Sequence, residues 1–379
     1  MSVAALVLLS ACGDDTRIDP TVDAGPRDAG PVDSGPPPPP PRTSELDLPF
    51  MIDNSNSMTE EQQSLAAEMP ELVSALVGAG YDSIQVGVVT SDMGVLGAAG
   101  VPTCGRADFG DDGVLRTQGR TDLTGCRASY PSFLTFTGGD ARTFTNDVAC
   151  QVSVGIGGCG FEQQLEAVLK AVSPALPTPW TAPGFVAPSF HAGSTPHGTG
   201  VNTGFVRADS VLAIVMLTDE EDCSAFDPEL FDPTSSVYGG TDLNLRCFVH
   251  GEGAAHPISR FVDGLLQLRR SPGRLAFLPI VGVPVDLQPA AGAPVDWDRL
   301  VSDDPNLRDD RLEERVDPTM MNRLVPSCNT PGRGIAFPPV RILRVAQGLE
   351  ARGARVTVGS ICQESYATSF RAFAQQLAR

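Results

Sequence analysis

Lysine is almost missing from this chain of 379 residues: of its 27 basic side chains only Lys170 is not an arginine, a bias that reads as genomic composition. Positive charge as a whole is scarce, because 46 acidic residues leave a formal charge of −19 at pH 7. Such a surface repels phosphate backbones and anionic headgroups, so neither nucleic-acid binding nor electrostatic docking on a membrane is expected, whereas divalent cations are attracted. No apolar run approaches the roughly 20 residues that span a bilayer as a helix. No two cysteines have the Cys-x-x-Cys spacing of a zinc ribbon or redox motif, and Gly-x-Ser-x-Gly does not occur. The four histidines, His191, His197, His250 and His256, fall in no ligand spacing and read as loop or capping residues.

What is present begins with an address. Apolar Val3 to Leu9 leads into Leu9-Ser10-Ala11-Cys12, which resembles the bacterial lipobox, so residues 1–12 are expected to be a lipoprotein signal peptide and Cys12 the lipidated residue. Residues 13–44 follow with nine prolines, six aspartates and three arginines, and repeat Asp-(Ala/Ser)-Gly-Pro at Asp23, Asp28 and Asp33. Nothing there can bury apolar surface, so the segment reads as an extended, solvated stalk. In polyproline II, at about 3.1 Å per residue, it reaches on the order of 100 Å. The expected location is the cell envelope, on the outer membrane or surface of a Gram-negative bacterium, with the lipid as the sole membrane contact.

Setting Cys12 aside leaves Cys104, Cys126, Cys150, Cys159, Cys223, Cys247, Cys328 and Cys362. An even count in an exported chain reads as disulfides. Loop closure favours sequence neighbours, so the expected pairs are 104–126, 150–159, 223–247 and 328–362.

With 41% apolar and 19% charged residues the rest can build a sizeable core. Leu48 to Asp53 reads as a buried strand, Ile84, Val86 and Val88 as a second, Val211 to Leu217 and Leu275 to Val281 as central ones, and Val356 to Val358 as a last. Helical faces run through Leu65 to Leu76 (kinked by Pro70), Phe161 to Val172, Ile258 to Leu266, Ile342 to Leu349 and Tyr366 to Phe373. Strands alternating with helices predict an α/β fold, a doubly wound, mostly parallel sheet with helices on both faces. One domain over 45–379 is expected, interrupted by disulfide-stapled insertions near 95–159, 175–207, 223–255 and 284–338.

Asp53-Asn54-Ser55-Asn56-Ser57 falls where the first strand gives way to the first helix, and Thr218-Asp219 ends the central strand. Carboxylates and hydroxyls are hard oxygen ligands suited to Mg²⁺, Ca²⁺ or Mn²⁺. Right-handed crossovers put the two strand ends side by side, and two carboxylates that close call for a cation between them. These residues make the chain resemble a von Willebrand factor A domain, over residues 46–379. The resemblance implies a metal-ion-dependent adhesion site in which Ser55 and Ser57 ligate directly, Asp53 and Asp219 hold the ion partly through water, and one position stays open for a partner's carboxylate. The family's threonine would fall near Gly157-Gly158-Cys159-Gly160, where there is no hydroxyl; Asp92, at the end of the second strand, is the candidate replacement. Glu220, Glu221 and Asp222 add negative charge. The competing reading of Ser57 is a helix cap, since Ser57-Met58-Thr59-Glu60 fits a capping box.

The expected function is therefore a cell-envelope lipoprotein, not an enzyme, that binds a protein or glycan partner through a divalent cation. The alternative is a structural envelope scaffold with a degenerate, metal-free site. A hydrolase ranks third: Asp53 with His197-Gly198-Thr199 has a protease-like look, but Ser194 precedes the histidine and no placed nucleophile follows. A haloacid-dehalogenase-type phosphatase would need an aspartate where Ser55 stands.

Overall fold

Every residue of Val211–Leu217 and Leu275–Val281 is buried, because these strands lie inside a sheet covered on both faces. The structure, a computed structural model, describes residues 43–378; Cys12 and the proline-rich segment up to residue 42 lie outside the described residues. The sheet contains β1 (Glu45–Ile52), β2 (Ser83–Thr90), β3 (Phe133–Phe136), β4 (Val211–Leu217) and β5 (Leu275–Val281). A short hairpin, β6 (Cys328–Asn329) and β7 (Ile335–Ala336), stands apart, and β8 (Arg355–Val356) and β9 (Gly359–Ser360) complete the edge beside β5. The order is β3-β2-β1-β4-β5-β8, with β9 also on β5, and every pairing except β2–β3 is parallel.

Helices α1 (Thr59–Ala67), α2 (Met69–Gly78), α3 (Arg142–Val152) and α9 (Ala367–Leu377) pack Leu65, Leu72, Val148 and Phe370 against one face. On the other face lie α4 (Gln164–Val172), α6 (Ile258–Leu266), α7 (Trp297–Val301) and α8 (Val340–Ala351), through Leu165, Phe261, Leu300 and Leu343. A further helix, α5 (Arg246–Ala254), belongs to the excursion after β4. The architecture is thus α/β with a mostly parallel sheet between helices. The chain passes from β1 to β2 on one side and later to β4 on the other, so a crevice opens between the carboxyl ends of β1 and β4.

Several expectations are corrected. The first helical stretch is two helices that meet at Glu68, with Pro70 in the first turn of α2, where its missing N–H costs nothing. Residues 133–152, counted above within an insertion, supply β3 and α3 to the sheet and its cover. The irregular stretch 175–207 supplies Trp180, Phe185, Phe190 and Phe205 to the core on the α4 face. For that reason α4 is buried at all nine positions rather than along one stripe. Its polar residues find partners inside the protein: Glu166 takes both forks of Arg260 (2.7 and 2.9 Å), and the Gln164 amide nitrogen donates to Thr218 (2.9 Å), although the Gln164 amide oxygen has no hydrogen bond.

Disulfides 223–247 and 328–362 are as expected, but the other four cysteines pair as 104–159 and 126–150. Longer loops raise the closure cost by only on the order of 1–2 kcal/mol, which packing overrides. Cys104, Cys159, Cys223 and Cys247 belong to one small core with Val95, Phe161, Leu230 and Phe231, so two bridges staple one cluster beside the crevice.

The far end of β1 carries a buried charge. Asp47 accepts from the Arg207 side chain (2.7 Å) and backbone (2.6 Å) and from Ser210, and lies 3.5 Å from Arg269. Burial pushes the Arg269 guanidinium down to about 10, with Asp47 opposing the shift. Among the described residues no helix is long and apolar enough to cross a membrane.

Candidate metal centre

Strand register builds the site. Ile52 lies opposite Thr90 of β2 and Leu217 of β4, so the next residue on each chain, Ser91, Asp53 and Thr218, forms a row at the carboxyl edge. The Asp53 amide still donates to Leu217 (2.9 Å), which holds the row in place. Asp53 Oδ1 accepts from the Ser55 amide (2.8 Å) and the Ser91 hydroxyl (3.2 Å), and Oδ2 accepts from the Thr218 hydroxyl (2.6 Å). The hydroxyls of Ser55 and Ser57 lie 3.1 Å apart. No side chain caps α1, so Ser57 is not the cap that its spacing from Glu60 suggested.

Asp219 follows Thr218 and is 1% exposed, yet neither of its carboxylate oxygens has a hydrogen bond. Burial, then the charges of Glu220 and Asp53, push it well above the ordinary aspartate range; the Ser57 hydroxyl lies near enough to oppose this, though not in hydrogen-bonding geometry. Asp53 is raised by burial, against the three groups that bond it. Burial and the Asp53 charge push Glu220 up to about 8, and burial with the Asp53 and Glu220 charges drives Glu162 well up. Glu61 on α1, fully buried and unbonded at both oxygens, is raised to about 7, chiefly by burial. Carboxylates gathered out of water without a counter-charge are costly, and they either keep a proton or take up a cation.

The structure therefore brings Asp53, Ser55, Ser57 and Asp219 together and corrects the placement of Asp92. Its Oδ1 accepts from the Gly94 amide (2.9 Å) and its Oδ2 lies 3.7 Å from Arg106. It braces the 93–111 loop so closely that a Cβ on Gly110 would come within 2.1 Å of it. Register explains this: Ser91, not Asp92, is level with Asp53. Asp222 is also structural; it bonds the Leu165 amide at the start of α4 (3.0 Å), Ser224 (2.6 Å) and Arg341 (3.2 Å). Ser91, Gln164, Glu61 and Glu162 went unrecognised in the sequence, because only the sheet and helix packing brings them to Asp53. Thr218, adjacent to Asp219, carried a signal that could have been read.

The glycine loop before α4 lies against the same turn. Gly158 donates to the Asn54 carbonyl (2.8 Å), and a Cβ there would meet Asn54 Oδ1 at 2.2 Å. Gly158→Ala is expected to cost about 1–3 kcal/mol in urea melts, because the Asn54 side chain must move from a packed position. An unchanged midpoint would contradict that close approach.

Beside the turn is a cleft of about 370 Å³ whose lining includes Ser55, Ser57, Glu162, Glu220, Glu221 and Glu314. Among the described residues no group of three or more His, Cys, Asp or Glu side chains is arranged to hold a metal; the convergence here is two carboxylates with hydroxyls. The histidines lie elsewhere: His197 bonds Asp112 (3.0 Å), His250 bonds Thr241 (2.8 Å), and His256 is pushed down to about 4 by burial and by Arg260 and Arg341. No protein-family model matches the chain, and no curated protein matches it.

Proposed function

We propose that the chain is a lipid-anchored envelope protein of von Willebrand factor A type that grips a partner through a divalent cation. One observation carries this reading: the fully buried, unbonded carboxylate of Asp219 beside Asp53, with two serine hydroxyls at the same strand ends. The donor set fits Mg²⁺, Ca²⁺ or Mn²⁺, since all its atoms are hard oxygens. Ser55, Ser57 and Asp219 would hold the ion. Asp53, already bonded by Ser55, Ser91 and Thr218, orients the turn. The cation would supply charge neutralisation and one coordination position for an outside carboxylate. The 93–111 loop and the stapled cluster around Cys104 and Cys223 border the crevice; held before binding, such walls reduce the ordering cost of association.

A second reading, a scaffold with a metal-free site, is favoured by Gly158 standing where the resemblance expects a hydroxyl and by the three hydrogen bonds that already satisfy Asp53. A hydrolase has less support. Lys170 Nζ lies 2.7 Å from Ser194 Oγ, but the ammonium is bound to Asp112, whose carboxyl is held below its usual range; burial opposes this and bonds from His197 and Lys170 outweigh it. An ammonium committed to a carboxylate is poorly placed to act as a general base. Calorimetric titration of the full chain with Mg²⁺, Ca²⁺ and Mn²⁺ is expected to give saturable heats with at least one ion, lost in Asp53→Ala. Flat heats with all three would leave the scaffold.

A further inference from the structure

A further cavity, of about 270 Å³, is walled by the 93–111 loop and α4, and none of Asp53, Ser55, Ser57 or Asp219 lines it. Three phenylalanine rings do, those of Phe109, Phe190 and Phe226. Phe190 is pinned, with Lys170 Nζ 5.4 Å and the Arg260 guanidinium 5.2 Å from its ring centre. Phe109 and Phe226 instead stand 37% and 53% exposed. Aromatic rings left wet at the edge of a cavity gain by being covered. The walls are set in advance, because Leu96 and Ala225 belong to the cluster stapled by disulfides 104–159 and 223–247. The acidic and basic side chains that line the cavity are matched already, Lys170 by Asp112 and Glu166 by Arg260. A charged guest would find no counter-charge, so the cavity suits a neutral one. The polar contact on offer is His256. Its ring forms no hydrogen bond among the described residues, and its Nε2 lies 3.8 Å from Glu166, beyond bonding distance. Burial, with Arg260 and Arg341, keeps the ring neutral. A neutral imidazole donates at one nitrogen and accepts at the other, and a hydroxyl can answer either. An apolar cavity of about 150 Å³ admits benzene, so this one has room for a substituted ring.

We infer that this cavity is a binding site for a phenolic ring, which packs on Phe109, Phe190 and Phe226 while its hydroxyl bonds the His256 imidazole. Such a ring has two sources, a free small phenol and the tyrosine side chain of a partner. The site stands apart from the candidate ion site and does not depend on the metal reading.

The test uses the full chain and ligand-detected NMR titrations with p-cresol, N-acetyltyrosinamide, 4-methylcyclohexanol, benzylamine and benzoate. At least one of the two phenols is expected to bind saturably, about tenfold tighter or more than the aliphatic alcohol, the amine and the acid. Tighter binding of p-cresol identifies a free phenol as the source, and tighter binding of N-acetyltyrosinamide a tyrosine side chain. Phe226→Ser, at a half-wet position, should weaken the preferred phenol about fivefold or more, whereas Val201→Ser, exposed and outside the cavity, should not. His256→Phe keeps a ring against Phe226 and Phe261 but removes the polar contact, and should cost about tenfold. Absence of saturable binding by both phenols overturns the site. So does equal affinity for a phenol and for the aliphatic or charged compounds, or a Phe226→Ser effect no larger than that of Val201→Ser.

Discussion

Asp219→Asn is expected to erase the gain in thermal stability that a divalent cation gives the chain. An ion that binds only the folded state stabilises it by about 2.7 kcal/mol at a hundredfold excess over its Kd, a rise of a few degrees in a chain of this size. Without Asp219 the ion loses the carboxylate that nothing else in the structure satisfies. The metal-free proteins should differ in the opposite direction. A carboxyl whose pKa is raised by folding binds its proton more tightly in the folded state, so stability is full below the unfolded value of about 4 and declines as pH rises through the folded one. Asp219, Glu220 (about 8) and Glu61 (about 7) all act this way, with burial as the first cause in each. Metal-free wild type should therefore lose stability between about pH 4 and about pH 8. Asp219→Asn should lose less, and Mn²⁺ should flatten the wild-type curve alone. Scanning calorimetry across that range checks all three. An equal Mn²⁺ shift in wild type and variant, or none in wild type, would count against the site.

The second large effect lies at the other end of β1. Asp47→Ala should destabilise the fold by about 3–5 kcal/mol in urea or thermal melts, the usual result of removing one partner from a buried ionic group. Asp47 is fully buried, Arg269 is 1% exposed, and both Arg207 and Arg269 converge on its carboxylate. Alanine leaves Arg269 charged and dry, removes the acceptor of the Arg207 amide, and leaves the Ser210 hydroxyl only the Arg207 carbonyl (3.2 Å). Asp47→Asn keeps an acceptor and should cost less, which separates lost charge from lost hydrogen bonds. Metal heats should persist wherever the variant folds, because Asp47 lies at the opposite end of the strand from Asp53. A loss under about 1 kcal/mol would show that the cluster does not anchor the fold.

Legibility in the sequence followed how local each signal was. Val211–Leu217, Leu275–Val281 and Ile258–Leu266 end where their apolar patterns end, because burial on two faces or on one helical stripe is written into consecutive residues. β3 was hidden because four residues at a sheet edge carry little pattern. The full burial of α4 is not written in its own residues, because its second cover comes from residues 175–207, which have no regular periodicity of their own. At the site, Asp53, Ser55, Ser57 and Asp219 were legible from their positions at strand ends. Asp92 was a plausible neighbour by sequence, but the register makes Ser91 the residue that reaches Asp53.

Taken alone, the sequence determined the alternation of strands and helices, the acidic character, the even set of eight cysteines beyond Cys12, and the placing of two short acidic and hydroxyl motifs at strand termini. These follow from the chemistry of neighbouring residues. Tertiary structure alone decided which cysteines share a bridge, that Asp92 braces a loop, and that Asp219 is shut away from water with no bonding partner. The reason is physical: pairing, register and burial depend on groups tens to hundreds of residues apart, and their energies exist only once the chain has closed around them.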